Sequence, residues 1–200
     1  FFIGMLGTQE LAAISFTFPV TFTVISLNIG LGIGTSAIIA KLLGSGQQDQ
    51  AKETATGALM LTMVLAMVLA IIGIMTMDPI FRLMGADEEQ IFFIKEYMVV
   101  WYAAGVFLAM PMVGNSVLRA SGDTKTPSYV MAFGGLINAV LDPILIFGWG
   151  PLPALGIQGA AIATLIAWAA GLFYILFILA VKRKLIEPKL LNWQQLKRST

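Results

Sequence analysis

No cysteine and no histidine occur among the 200 residues, and only 12% of them carry a charge. The first absence excludes disulfides and thiolate chemistry. The second removes the commonest general base and metal ligand. The shortage of charge excludes an ordinary soluble domain, in which about 25% of residues are charged. Apolar residues fill the gap, at 58% of the chain. Residues 11–40, 54–77 and 97–118 hold no charged side chain at all, and each run meets the ~20 residues a helix needs to cross ~30 Å of hydrocarbon. Residues 126–181 hold one charge, Asp142, and Gly148-Trp149-Gly150-Pro151-Leu152-Pro153 divides that stretch into two more spans. The ~10-residue alternating segments of a transmembrane barrel are missing. The composition predicts an all-α, polytopic membrane bundle.

The chain opens on Phe1-Phe2-Ile3-Gly4, apolar and without the basic start of a signal peptide. Residues 1–6 are therefore expected to be the tail of a truncated first helix. Five complete helices follow, over about Leu11–Leu43, Thr54–Met77, Gln90–Leu118, Pro127–Phe147 and Ile157–Val181. Residues 1–184 then form a lobe of about six transmembrane helices, and residues 185–200 begin a polar linker. Of the twelve Lys and Arg, only Arg82 and Lys95 fall on one face of this layout. By the positive-inside rule the other face is cytoplasmic. That places the loops near 44–53 and 119–127, and the C-terminal end, on the cytoplasmic side of a cell membrane that the chain crosses several times. Lys182-Arg183-Lys184 would anchor the last helix on anionic lipid. Nothing in the pattern points to a nucleic-acid partner.

A carboxylate at mid-bilayer costs about 2.5–3.5 kcal/mol on insertion scales, so Asp142 is the first candidate functional residue. Asn138 lies four residues earlier, on the same helix face. Pro143 follows directly, frees the carbonyl of Ala139 and disfavours helical geometry at Asp142. Such groups persist in lipid only when packed in protein or facing a water-filled cavity. The alternative is that Asp142 reaches interfacial water, since about five residues, or ~8 Å, separate it from the end of its span. Asn115, four residues after Pro111, is either a second site residue or an interhelical hydrogen bond. Thr164 is either a site residue or bonded to its own backbone. Pro143, Pro111 and Pro19 are candidate bends. Gly30 and Gly34 form the small-xxx-small spacing of close helix packing, and Arg119 and Asp123 could pair in the loop between two spans.

Several stretches carry a family resemblance: Leu6-Gly7-Thr8-Gln9-Glu10-Leu11, Gly30-Leu31-Gly32-Ile33-Gly34-Thr35, Leu118 through Pro127, Asn138 through Phe147, and Leu155 through Thr164. In these the chain resembles the N-terminal half of the multidrug and toxic compound extrusion transporters. The resemblance implies a twelve-helix protein of two six-helix lobes around a central cavity. It implies export of organic cations and other amphiphiles in exchange for H+ or Na+, with membrane lipids and the C-terminal lobe as further partners. It implies that Asp142, Asn138, Asn115 and Thr164 bind the coupling cation, with Na+ at Asp142 as one possibility and no other metal or cofactor. An aspartate on helix one, also part of that pattern, would fall before Phe1.

Two other readings are kept. A flippase for lipids or lipid-linked oligosaccharides would share the wider superfamily. It would want basic residues in its cavity, and no Lys or Arg lies inside a span. An intramembrane enzyme would need a nucleophile and base or a metal cluster, and one acid without His or Cys is too thin an inventory, so the expectation is a transporter and not an enzyme.

Overall fold

The computed structural model describes residues 2–149 and 153–186, so the polar segment 187–200 expected to continue the linker lies outside the described residues. Phe2–Met5 form one 3-10 turn where the first helix was expected to end. Six α-helices follow: α1 (Thr8–Gly44), α2 (Gln48–Leu83), α3 (Glu88–Ala103), α4 (Gly105–Ala120), α5 (Lys125–Phe147) and α6 (Gly156–Phe177). A π turn over Ile178–Lys182 prolongs α6. Helices α1, α2, α5 and the prolonged α6 are each long and apolar enough to cross a membrane. The pair α3 and α4, bent by 49° between them, adds a fifth if taken as one span.

Several boundaries differ from the sequence reading. The helix expected over Gln90–Leu118 is two helices, and its bend falls at Ala104 rather than at Pro111, which lies inside α4. Gly105 has little helix preference, and the Phe107 N–H donates to the Ala104 carbonyl at 2.9 Å, a local 3-10 tightening. Helix α3 also starts earlier than Gln90. Asp87 accepts from the Gln90 N–H at 2.8 Å while Gln90 Oε1 accepts from the Asp87 N–H at 3.1 Å, a reciprocal cap. Helix α2 outruns Met77 because charge ends a hydrocarbon span, not a helix: Asp78 pairs with Lys95 at 2.7 Å, and Arg82 pairs with Glu88.

Helix α4 is the axis of the bundle, with eight buried residues, and it packs on α1, α2 and α6. One apolar cluster (Ile39, Leu59, Val117, Leu118, Ile175 and Leu179 among others) joins the helix ends that carry most of the basic residues. A second (Met77, Phe81, Ile94, Met98 and Trp101 among others) closes the opposite end. Helix α5 gives neither cluster a buried residue and touches the first only through Val130. It packs chiefly along α6, buries only Pro127 and Ile146, and exposes Tyr129, Met131, Phe133 and Leu136. The close approach of α1 to α4 is made by Gly32, not by Gly30 or Gly34. A Cβ on Gly32 would lie 2.6 Å from Ser116 Oγ, whereas the other two have open space. Two residues along a helix is roughly 200° of rotation, so the neighbouring glycines face the other way.

The pairing expected between Arg119 and Asp123 does not form. Asp123, 7% exposed, accepts instead from the Thr126 N–H at 3.0 Å, from Thr126 Oγ1 at 2.8 Å and from Arg183 Nη2 at 2.7 Å. The α4–α5 turn is thereby tied to the chain just past α6. The Thr126 backbone donor first, then the Arg183 guanidinium, holds the Asp123 carboxyl at about 2 against an ordinary 3.8. A depressed carboxylate contributes stability above its unfolded pKa and loses it as pH falls through the folded one. Arg183→Gln is expected to cost about 1 kcal/mol, since the guanidinium is partly exposed. In thermal unfolding in detergent, the gap between wild type and variant should be constant above about pH 4 and shrink toward pH 2. A gap unchanged at the lowest pH would assign the effect to packing of Arg183 and not to its charge.

Candidate functional site

Three of the four site residues expected from the sequence share one property. Asn115 Oδ1 on α4, and Asn138 Oδ1 and Asp142 Oδ1 on α5, are buried and have no hydrogen-bond partner among the described residues. A buried polar group left unpaired costs about 1–3 kcal/mol. A helical bundle of this size satisfies nearly all such groups, so three orphaned oxygens at these positions make this the candidate site. The fourth residue differs. Thr164 Oγ1 donates to the Ala160 carbonyl at 3.0 Å, the self-bonded arrangement, which leaves only its lone pairs to offer.

Helix geometry explains the placement. Asn115 sits one turn after Pro111 on the buried face of α4, and is itself 8% exposed. Asn138 and Asp142 are one turn apart on the face of α5 turned toward the bundle. Pro19, Pro111 and Pro143 each lie inside an unbroken helix.

A cavity of about 490 Å³ opens among α1, α4, α5 and α6. Asn28, Asn115 and Asn138 supply its amides, Phe107 and Trp168 its aromatic wall, and Arg119 its one charged side chain among the described residues. Trp168 is braced edge-on by Trp101, with ring centroids 6.3 Å apart. Asp142 and Thr164 are not on its lining. Asp142 lies farther along α5, where Tyr97 of α3 is close enough to interact with its charge. The structure thus brings Asn115 and Asn138 to the cavity and sets Asp142 one helical turn beyond it.

Two neighbours were not singled out as site residues from the sequence. Asn28, 8% exposed, bonds the Val24 carbonyl with Nδ2 at 2.8 Å and faces the cavity. A polar amide in the middle of an apolar run was the available signal. Tyr97 beside Asp142 carried none. Among the described residues no three His, Cys, Asp or Glu side chains converge. Asp142 with nearby amide oxygens can therefore offer one negative charge and neutral oxygens, a set for a proton or a monovalent cation and not for a multi-carboxylate metal cage.

A family model described as MatE matches residues 1–144. A FAD transporter of Shewanella oneidensis is 46% identical over 187 residues, which is 94% of this chain and 41% of that protein. A probable multidrug resistance protein of Bacillus subtilis is 38% identical, over 90% of this chain and 38% of its own length. A crystal structure of MATE in the bent conformation matches with a TM-score of 0.87 at 33% identity, covering 98% of this chain and 44% of that one. The chain spans less than half the length of each of these relatives.

Proposed function

Because the chain belongs to the MatE family, we propose that it is the N-terminal lobe of a secondary exporter of amphiphilic small molecules, driven by antiport of H+ or Na+. The observation that carries this is the set of three unpaired buried oxygens on Asn115, Asn138 and Asp142, the first two of these residues lining a cavity between the helices. The names of the relatives, one a FAD transporter and one a probable multidrug resistance protein, support small compounds as the cargo. Residues 1–184 form the lobe and 185–200 lead into the linker to the second lobe. The loops near 44–53 and 119–127 face the cytoplasm, in line with the gathering of basic residues at that end.

On this reading the Asp142 carboxyl holds a proton or a sodium ion one at a time, because its buried Oδ1 has no hydrogen-bond donor among the described residues to stabilise a bare charge. Since Asp142 lies off the cavity lining, ion and cargo do not have to displace one another from the same atoms. Coupling then comes through the shared helix α5: the access states must differ in affinity for each ligand, because equal affinity shifts nothing. The flippase reading finds no support in the relatives' names and is not carried further.

The test is export by the full-length transporter in proteoliposomes under an imposed proton or sodium gradient. One gradient should drive accumulation and its collapse should stop it. Accumulation against a gradient of cargo with neither ion gradient present would end the proposal.

A further inference from the structure

Among the described residues the one charged side chain on the cavity is a cation, and it has no ion-pair partner there. Arg119 donates from Nη2 to Ser116 Oγ at 2.9 Å. Ser116, 5% exposed, passes its own proton to the Met112 carbonyl at 3.1 Å, and Gly32 of α1 presses against it. The serine is fixed as an acceptor for arginine, so it orients the guanidinium. That contact uses one of five guanidinium N–H groups. Arg119 forms no ion pair among the described residues, and the nearby acid that could have neutralised it, Asp123, is engaged by Arg183.

We propose that Arg119 is the specificity-determining residue of this cavity, receiving the phosphate or carboxylate of a flat aromatic substrate whose ring lies against Trp168 and Phe107. The inference rests on the exporter reading above and narrows its cargo from amphiphiles in general to aromatic anions. A guanidinium fork matches carboxylate and phosphate oxygens in pairs. One turn deeper, Asn115 and Asn138 present their unpaired Oδ1 atoms, which accept from ring N–H, amino or hydroxyl groups of the same ligand. A volume of about 490 Å³ suits a drug-sized molecule. An organic cation meets the opposite situation, since the one formal charge on the wall repels it. Asp142, off the lining, is left to the coupling ion.

An exposed arginine at a helix end also serves as an interfacial anchor, and the experiment separates the two roles. Full-length transporter in proteoliposomes is assayed under an ion gradient for export of flavin adenine dinucleotide, an aromatic diphosphate, and of ethidium, an aromatic cation. Arg119→Gln should lower the ratio of dinucleotide to ethidium export by roughly tenfold, mainly through KM for the dinucleotide, and Arg119→Lys should restore part of that loss. A ratio unchanged within about twofold, whether both rates hold or both fall, would overturn the assignment and leave an anchor. Wild type that exports ethidium and not the dinucleotide would overturn it while the exporter reading stands. Wild type that exports neither overturns both.

Discussion

Asp142→Asn in the full-length transporter should abolish gradient-driven export while membrane insertion and detergent extraction stay at wild-type levels. The amide matches the carboxylate in size and keeps an oxygen in place, so packing along α5 is preserved. What it loses is the ability to exchange a proton or balance a cation. Nothing else among the described residues can take over: Asp142 is the only charged side chain in residues 126–181, and histidine and cysteine are absent. Accumulation should therefore fall to the level of empty liposomes. Any residual downhill movement of cargo should no longer depend on pH or sodium. Removal of Tyr97's hydroxyl by Tyr97→Phe touches only the neighbour and should leave coupling in place at a changed ion affinity. Accumulation by the Asn variant at the wild-type rate, under the same gradient, would remove Asp142 from the mechanism.

The second large effect is structural. Gly159→Val should dislodge α5 from α6. A Cβ at position 159 would lie 2.4 Å from the Leu145 carbonyl oxygen and 2.6 Å from its carbon, and both belong to backbone. A side chain can swing away from such an intrusion; a helix backbone cannot. Leu145 is also pinned there by the Leu155 N–H, which donates to the same carbonyl at 3.0 Å. Overpacking of a tight site costs about 1–3 kcal/mol, and here it falls on the seam that carries most of α5's attachment. The unfolding midpoint should drop by several degrees, and export should fall with it because Asn138 and Asp142 move as the helix moves. Gly57→Ala on α2 is the matched control, since a methyl there meets nothing within 4 Å. It should leave the midpoint unchanged or slightly raised. Equal midpoints for Gly159→Val and wild type would show that the seam tolerates separation.

Much of the architecture was legible because hydrocarbon tolerates so little charge. The gaps between charged residues marked the spans, and the uneven spread of Lys and Arg gathered most of the basic residues at one end of them. Asn115, Asn138 and Asp142 stood out for the same reason, and each has a buried side-chain oxygen without a hydrogen-bond partner among the described residues. Charge spacing says nothing about how a helix is rotated against its neighbours. Gly30 and Gly34 fit a packing rule that Gly32 fulfils, and Thr164 fit a site pattern while bonding its own turn. The break at Ala104 was hidden because Pro111 offered a stronger local signal for a bend than Gly105 did. The early start of α3 could have been read, since Asp87 and Gln90 have the spacing of a reciprocal cap. The partner of Asp123 lies 60 residues away, beyond the reach of any local pattern.

The division of burial between α4 and α5 carries a consequence for how the lobe works. Eight residues of α4 are buried and two of α5, yet the unpaired oxygens of Asn138 and Asp142 are on α5. Rigidity and adaptability are thus assigned to different helices. On the exporter reading proposed above, a displacement of α5 would carry those two oxygens with it while the buried residues of both apolar clusters, none of them on α5, stay packed.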